Sequence, residues 1–425
     1  MPENHFLVRT DTIISRHCNY HPLFLKHSIA CLFFLCILSA SCFAQLSNGT
    51  SKVNPLYVDP TSYDFSKNPP LLERVESGPH GYFRFINLQF SQEVCRRFRT
   101  SFEGTPPLNL HGDAHLEQYA VTDLGRGLTD FDDSSMGPAI LDILRFGVSL
   151  RLACQTHGWI DNAERLFDAF LLGYRQALNN PDANAKEPVV VRRIRSGFEE
   201  EKQEFFEWVE SQMLPISGSA QDSLHKAMQQ YIDAMIADNP KLERNYFQLQ
   251  QAGYLQMGIG SALDIKYLVR IRGASDDPMD DVVLEIKEVR DISGISCIIR
   301  TQKADPFRVL LGQARIAYAP FKHLGYFRFR RLTFWVHSWV ENYKEVKIGK
   351  SFKTEDELAE VAHDVGLQLG HGHTRHIASP FDAQLKRSQL RLLSVTEPRI
   401  KRACIDLAKL TVEAWTTFRA GIETQ

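Results

Sequence analysis

The sequence lacks the features that define several large classes of protein. Its 425 residues contain 49 Lys and Arg against 51 Asp and Glu, so the net charge is only −2 and neither sign dominates. A broad basic face is therefore not expected, and no nucleic-acid partner is predicted. Hydrophobic residues make up 44% of the chain and charged residues 24%, which excludes wholesale disorder and a polytopic membrane protein.

Cysteine is scarce beyond the first 44 residues. The sequence has eight cysteines, and those that follow residue 44 are Cys95, Cys154, Cys297 and Cys404. They are scattered and form no C-x-x-C pair, so neither a disulfide framework nor a structural zinc site is expected. Most of them are predicted to be small buried side chains.

The first 44 residues have the layout of a secretory signal. A mildly basic leader precedes an apolar run over residues 29–38, and small residues lead to Ala44. Such a run is short for a permanent membrane span. We expect cleavage near Ala44, export to the periplasm or the medium, and a mature chain without a stable span. A lipoprotein at Cys42 is less favoured, because Ser39 stands where an aliphatic residue is usual. An uncleaved anchor or a misassigned start is the alternative.

The rest of the chain alternates helical blocks with one strand-rich centre. Apolar residues at helical spacing predict helices over 140–154, 162–178, 197–214, 220–237, 355–372 and 397–420. β-Branched and aromatic runs between turn residues predict strands over 254–257, 265–271, 282–289, 295–300 and 333–340. The expected organisation is a signal peptide over 1–44, an extended arm over 45–80, a helical lobe with the catalytic and metal loops over 81–250, a β-sheet lobe over 251–345 and C-terminal helices over 346–425.

Two acidic segments carry the strongest chemical signal. They read His111-Gly112-Asp113-Ala114-His115-Leu116-Glu117-Gln118 and Thr129-Asp130-Phe131-Asp132-Asp133. Apolar residues bracket both segments, which favours partly buried loops over a solvated acidic loop. Carboxylates in such a setting need a metal or a cationic ligand. The order and spacing suit phosphoryl transfer, in which one carboxylate orients an acceptor hydroxyl and another holds Mg²⁺ against the nucleotide phosphates.

We therefore predict roles for six polar residues of these segments. Asp113 orients the acceptor hydroxyl and accepts its proton, while His111 and His115 position the loop. The predicted metal ligands are Asp130, Gln118 and Asp132.

A glycine-rich segment further along the chain predicts a phosphate-binding hairpin. Gly258, Gly260 and Ser261 precede two strands, the second of which ends at Lys287. Backbone amides of such a hairpin can cover phosphates while the lysine pairs with them. The alternatives are an ordinary hairpin turn and a surface ion pair between Lys287 and Glu288.

The two acidic segments resemble the phosphotransferase signature of the aminoglycoside and choline kinases. Over residues 80–400 the chain more closely resembles the bacterial family called domain of unknown function 2252. That family's pattern has Gly-Asp-Ala-His-Leu-Glu-Asn, a later Asp-Phe-Asp, a Gly-x-Gly-Ser turn, a strand ending in Lys-Glu, and a helical Ala-His-Ala-Arg. The last of these is matched here by Gly372-His373-Thr374-Arg375.

The resemblance implies an α+β, two-lobed, protein-kinase-like fold that uses Mg²⁺ and ATP or another nucleotide. Because the catalytic loop precedes the glycine-rich sheet, such a fold must be circularly permuted. His373 and Arg375 are expected to support the catalytic loop. The chain departs from the family pattern at Gln118, where an Asn is usual, and at Leu311, where the usual Glu is the expected partner of Lys287.

Three functions are compatible with these motifs. The first is a kinase-like phosphotransferase that modifies a hydroxyl acceptor with a Mg-nucleotide. The second is a pseudokinase-like binding module in the cell envelope, where ATP is scarce. The third is a metal-dependent hydrolase or phosphoesterase, since alternating side chains on a strand share one face and helix histidines can add ligands. Its candidate ligands are His111, Asp113, His115, Glu117, His371, His373 and His376. The sequence specifies neither the acceptor nor the oligomeric state.

Overall fold

The computed structural model describes residues 53–123, 125–198, 201–255, 257, 259, 264–299 and 303–423. These residues form an α+β fold in which helices flank antiparallel sheets. None of the described helices is long and apolar enough to cross a membrane. The helices are α1 (Pro69–Glu76), α2 (Pro79–Phe85), α3 (Asn87–Phe102), α4 (Ile140–His157), α5 (Ala163–Asn179), α6 (Val189–Arg195), α7 (Lys202–Gln212), α8 (Gly218–Ala227), α9 (Gln229–Asp238), α10 (Pro306–Ile316), α11 (Ile348–Ser351), α12 (Glu355–Thr374) and α13 (Phe381–Glu423).

The strands of the described ranges form one large sheet and two small ones. They are β1 (Leu108–Leu110), β2 (Tyr119–Thr122), β3 (Arg126–Leu128), β4 (Ser135–Gly137), β5 (Met213–Pro215), β6 (Leu249–Leu255), β7 (Lys266–Ile271), β8 (Val282–Glu288), β9 (Gly325–Phe329), β10 (Leu332–Ser338) and β11 (Tyr343–Glu345). The six-stranded sheet has the order β5-β6-β7-β8-β10-β9. The small sheets are β1-β4 and β11-β2-β3, and they carry the two acidic segments between their strands.

The six-stranded sheet has one apolar face and one face with buried charges. Val269 and Ile286 belong to an apolar cluster that includes residues of α8 and α9. Side chains alternate along a strand, so Lys266 on β7 and both Glu285 and Lys287 on β8 share the opposite face. That face turns toward the acidic loops, because Lys287 forms an ion pair there.

Helices α4, α5 and α12 form the centre of the helical part. α5 and α12 lie very close together, since a Cβ atom at Gly173 would be 2.2 Å from the His363 carbonyl oxygen and Gly366 is equally restricted. This close approach fixes α12, whose last turn carries His373. Asp142 lies in the first turn of α4 and meets His373 there.

The predicted strands match the large sheet in part. Four of them overlap β6, β7, β8 and β10, whereas the sequence does not predict the edge strands β5 and β9. The strand predicted over 295–300 is wrong for its described residues, which form turns. Ile295 and Ile298 are buried in the main apolar core instead of forming a ladder. Their apolar side chains gave the same signal as a strand.

The predicted helices also need correction at several ends. The expected extended arm over 45–80 contains α1, which is capped by Asn68 and begins with Pro69. The segment 220–237 forms α8 and α9, which meet at Met228, and the last helix begins at Phe381, well before residue 397. α3 is not predicted by the sequence. The boundaries of the two predicted lobes stay a prediction.

The expectation for the cysteines is wrong for one pair. Cys95 on α3 and Cys297 form a disulfide that spans 202 residues of sequence. Cys154 and Cys404 are buried and free, as predicted. Because spacing along the chain does not show which residues meet, this bridge could not be read from four scattered cysteines. It ties the segment after β8 to the helical part.

Candidate active site

The loop after β1 is held by a buried carboxylate at the start of α4. Asp142 accepts hydrogen bonds from the backbone nitrogens of His111 (2.7 Å) and Gly112 (2.9 Å). Its Oδ2 atom also lies 3.1 Å from Nε2 of His373. Gly112 has a φ of +86°, and a Cβ atom there would be 1.9 Å from the Asp133 carbonyl oxygen. This position therefore requires glycine, and the hydrogen bonds to Asp142 hold the backbone of the loop in one conformation.

Asp113 is a buried carboxylate with a cationic partner. Its side chain is 7% exposed, and its Oδ1 atom accepts a hydrogen bond from Nε of Arg145 at 2.8 Å. Nε2 of His115 lies 3.6 Å from the other carboxylate oxygen. Burial raises the pKa of Asp113 to about 7, although the Arg145 guanidinium opposes the rise. A carboxylate with a pKa near neutrality is well suited to accept a proton.

Asp130 is the most open carboxylate of the second loop. Its backbone has a φ of +59°, which Asp tolerates better than most residues, and its side chain is 35% exposed. Oδ1 accepts a hydrogen bond from Nζ of Lys287 at 2.7 Å, and Oδ2 accepts one from Nε2 of Gln118 at 3.3 Å. Although burial disfavours its charge, the Lys287 ammonium holds the pKa of Asp130 below its usual range.

Asp132 shares Lys287 with Asp130. Its Oδ2 atom lies 2.6 Å from Nζ of Lys287, and its Oδ1 atom accepts a hydrogen bond from Nε1 of Trp335 at 2.9 Å. Burial and the neighbouring Asp130 charge raise the pKa of Asp132 to about 7. In turn, although burial opposes the effect, the two carboxylates raise the pKa of Lys287 well above its ordinary value.

His111 connects the two acidic loops. Its ring centroid lies 4.7 Å from that of Phe131, and Nε2 is 2.9 Å from the Thr129 carbonyl oxygen. Burial lowers the pKa of His111, so a neutral ring is favoured. His111 therefore helps to hold the two loops together, alongside the hydrogen bond from Gln118 to Asp130.

Comparison with known proteins adds a family to this geometry. The chain matches the family described as "Uncharacterized protein conserved in bacteria (DUF2252)" over residues 69–205 and 195–420. The chain belongs to the DUF2252 family. No curated protein and no solved structure matches the chain significantly. The matched ranges contain both acidic loops and Lys287.

The site of this DUF2252 protein brings together most of the residues predicted from the sequence. Both loops and the end of β8 meet around the ion pairs of Lys287, which joins His111, Asp113, His115, Gln118, Asp130, Asp132 and Lys287 in one region. Gly258, Gly260 and Ser261 lie outside the described residues, so their phosphate-binding role stays a prediction. Arg375 is exposed, whereas His373 is buried against Asp142.

Leu311 lies on α10 with 42% of its surface exposed. Among the described residues, Lys287 forms ion pairs with Asp130 and Asp132, so its charge is balanced without an acidic residue at position 311. The pairing of Lys287 with a Glu at that position stays an expectation from the family resemblance. On the same helix it is Arg308 that reaches the site, where its guanidinium donates to the Ser134 carbonyl oxygen at 3.1 Å.

Several site residues were missed by the sequence reading. Arg145 is a buried cation in the largely apolar helix α4, and a charge that is buried in such a run needs a partner, which is a usable signal. Arg290 bonds to Asp133 at 3.1 Å and to Asp264 at 2.7 Å, but only the fold shows that these residues meet. Lys266, whose strand was predicted, was read as an ordinary strand residue.

The alternating histidines and carboxylates do not form the strand that a metallohydrolase site would need. β1 ends at Leu110, and the following residues form turns and a short 3₁₀ helix. His111 faces Phe131, His115 faces Asp113, and Glu117 bonds to Arg84 at 2.9 Å. Within the described part of the chain, no group of three or more His, Cys, Asp or Glu side chains could hold a metal ion.

Proposed function

We propose that this protein is a kinase-like phosphotransferase that uses a Mg-nucleotide to modify a hydroxyl-bearing acceptor. The observation that carries the proposal is the arrangement of Asp113 and Asp130. They lie on adjacent loops joined through His111, and Lys287 from the sheet reaches Asp130. A base, a metal-binding carboxylate and a phosphate-binding cation are the parts that phosphoryl transfer requires.

In this proposal Asp113 is the group that orients the acceptor hydroxyl and accepts its proton. Its pKa of about 7 favours that role, since the carboxylate form is available near neutrality and can still be protonated. Arg145 holds the carboxylate in place through its Nε atom, 2.8 Å away. His115, whose pKa is lowered well below its ordinary value by burial, stays neutral beside it.

The donor set around Asp130 fits Mg²⁺ better than a transition metal. Mg²⁺ prefers oxygen ligands and is commonly bound by one or two carboxylates together with substrate phosphates and water. Asp130 offers an open carboxylate, Asp132 supplies further carboxylate oxygens, and the Gln118 side chain, whose Nε2 donates to Asp130, brings an amide to the same place. When bound, Mg²⁺ would neutralise charge on the phosphates. The protein's own part is to present these oxygens and to set Lys287 next to them.

The proposal extends to a two-lobed, circularly permuted, kinase-like fold. Its support is that the six-stranded sheet places its charged face toward loops that precede it in the chain. Glycine-rich residues 258–261 lie between β6 and β7, the position that would cover phosphates. In that arrangement the catalytic loop comes first and the sheet that covers the nucleotide comes second.

We also propose that the protein is exported. The predicted signal peptide lies outside the described residues, but the Cys95–Cys297 disulfide gives separate support, because disulfides persist in oxidising compartments. ATP is scarce in such compartments, which favours the binding module as the second candidate. The ion pairs of Asp113 with Arg145 and of Lys287 with two carboxylates favour it too, since each occupies a group that catalysis needs.

A thermal-shift experiment tests the proposal. The mature protein should be stabilised by ATP with Mg²⁺, since saturation at about 100 times Kd adds ~2.7 kcal/mol to the free energy of unfolding. Asp130→Ala should remove the stabilisation, whereas the control Asp161→Ala, which changes an exposed residue, should keep it. Stabilisation without transfer to any hydroxyl acceptor would leave the binding module. The absence of stabilisation by any nucleotide with Mg²⁺ or Mn²⁺ would reject both.

A further inference from the structure

Two lysines lie side by side on the charged face of the six-stranded sheet. Lys266 on β7 is directly opposite Lys287 on β8 in the antiparallel register. Their side chains share a face, and the residues are only 4% and 6% exposed. Directly opposed like charges destabilise a sheet, and buried charges are costly without a partner. The pair therefore needs compensation from a group of opposite charge.

Lys287 has carboxylate partners at ion-pair distance, whereas Lys266 has none among the described residues and interacts with Glu285, Asp132 and Asp130 only from longer distances. Lys287 lies within 2.7 Å of Asp130 and 2.6 Å of Asp132. Among the described residues, the ammonium of Lys266 bonds to the Met257 carbonyl oxygen at 2.5 Å and pairs with no carboxylate. The nearby Glu285 is already bonded to Nε2 of His337 at 3.0 Å. From residue 256 to residue 263 the sequence contains no acidic side chain that could serve.

Arg270, the next charged residue on the same face of β7, is an example of a cation with a structural role. Arg270 bonds to Asp281 at 2.6 Å and to Glu210 at 2.8 Å. It is therefore fully paired inside the fold. Lys266 differs in being more deeply buried and in pointing to the glycine-rich segment through Met257. An ammonium offers three donors, and among the described residues only one of them has a partner, which leaves two that a ligand could use.

We propose that Lys266 is a phosphate-binding residue that takes the non-transferred phosphates of a polyphosphate donor. The identification of that donor as a nucleoside triphosphate rests on the proposed function. Lys287 is paired with two carboxylates of the second acidic loop, so among the described residues Lys266 is the lysine of this pair that lacks an ion-pair partner and could take an anion. A bound polyphosphate would satisfy its donors and would remove the repulsion between the two lysines.

The lowered pKa of Lys266 agrees with this role. Burial and the neighbouring Lys287 ammonium lower it from the ordinary value of 10.5. A phosphate placed between the two ammonium groups would offset that repulsion and raise the pKa of Lys266 again.

Titration calorimetry with inorganic tripolyphosphate, Mg-ATP and adenosine tests this assignment. Lys266→Met should weaken tripolyphosphate and Mg-ATP by ~10- to 100-fold, the range expected when a hydrogen bond to a charged group is lost. Adenosine affinity should not change. Lys266→Arg should recover most of the affinity for the phosphates. Arg270→Met is the matched control, because it removes a cation from the same face and should leave polyphosphate affinity within about twofold.

The melting temperature of the unliganded variants separates a binding role from a structural one. Replacing a buried lysine that lacks a carboxylate partner by Met should leave the melting temperature unchanged or raise it. Replacing Arg270 should lower it, because Asp281 would lose its partner. Lys266→Met that melts lower and binds tripolyphosphate normally would show that Lys266 is structural, which overturns the assignment.

Failure of the assignment and failure of the proposed function give different results. Wild-type protein that binds no polyphosphate, or Lys266→Met that binds it as tightly as wild type, overturns the assignment. If Lys266→Met weakens tripolyphosphate while Asp130→Ala has no effect on Mg-ATP and no transfer occurs, the phosphate site stands and the phosphotransferase does not.

Discussion

Asp113 and Asp130 lie on neighbouring loops, yet their surroundings push the two carboxyl groups in opposite directions. Asp113 is 7% exposed and its pKa is raised to about 7. Asp130 is 35% exposed and its pKa is lowered. Both have a cationic partner at hydrogen-bonding distance, so the presence of a partner does not decide the outcome. Such divergent carboxyl groups are how one site separates a proton acceptor from a permanent anion.

Neighbouring charges explain the difference. Arg145 is itself buried against the rings of Phe83 and Phe90, and burial lowers its own pKa, so it offsets only part of the desolvation of Asp113. Asp133 adds repulsion on the same side. Asp130 has Lys287 within 2.7 Å, and Lys266 on the adjacent strand adds a further positive charge. Two cations near one open carboxylate outweigh its burial.

Substitution of Asp113 should have the largest effect on turnover. In Asp113→Asn we expect turnover to fall ~10²- to 10⁴-fold, the usual contribution of a general base, while the Kd for Mg-ATP stays within about twofold. The physical reason is that, in the proposed mechanism, Asp113 contacts the acceptor hydroxyl and not the metal. Single-turnover kinetics together with calorimetry measure the two quantities on the same variant.

Asp130→Asn is the comparison variant. Its main effect should be weaker binding of Mg-ATP, whereas Asp113→Asn should mainly lower turnover. If Asp113→Asn weakens Mg-ATP as much as Asp130→Asn does, the two carboxylates act as one site, and the division of roles is wrong.

The sequence was sufficient for residues whose spacing carries their chemistry. Asp113, Gln118 and Asp130 are spaced as the proposed phosphotransferase loop would require, and Lys287 lies near the end of a recognisable strand, so their meeting could be predicted. Arg145 was missed because the prediction of α4 used only its apolar periodicity, although a charge within such a helix is itself a signal.

Other features depend on contacts that no local pattern records. Lys266 was missed because its importance depends on the register that sets it opposite Lys287. Cys297 of the Cys95–Cys297 bridge lies within the turns over residues 295–299, and the spacing of those residues reveals neither the bridge nor the turns. The edge strands β5 and β9 were missed as well, since a three-residue strand and a hairpin partner carry little pattern of their own. Strand register and the pairing of distant residues are therefore the features that the sequence does not reveal.

Removal of Arg145 should lower the free energy of unfolding, because Arg145 is the cationic partner of Asp113. Arg145→Met leaves Asp113 buried without its counterion, and we expect the free energy of unfolding to fall by ~3–5 kcal/mol near pH 8. In the double variant Asp113→Asn/Arg145→Met the loss should be much smaller than the sum of the single effects, because no buried charge remains unpaired. Urea denaturation of the four proteins measures the coupling. A coupling energy near zero would mean that the pair contributes nothing beyond its separate side chains.

The pH dependence should show the smallest effect, and it distinguishes the two carboxyl groups by sign. Asp113 acts as a base only when ionised, so turnover should fall about tenfold per pH unit below pH 7, the region set by its pKa of about 7. Because that pKa lies above the ordinary value of 3.8, the stability that Asp113 contributes is fully present below pH ~4 and is lost as the pH rises through 7. Asp130 behaves in the opposite sense, since its lowered pKa gives stability that is present above pH ~4 and lost in stronger acid.

Activity and stability should therefore change in opposite directions between pH 5 and pH 8 wherever Asp113 dominates. Asp113→Asn should gain stability relative to wild type as the pH rises across this range, as measured by denaturation at several pH values. Asp132 also has a pKa of about 7, so Asp132→Asn is the necessary control for the assignment. An inflection in turnover that persists in Asp132→Asn belongs to Asp113. An inflection that disappears in Asp132→Asn belongs to Asp132. Asp113 would then be ionised throughout this pH range, as Asp130 is.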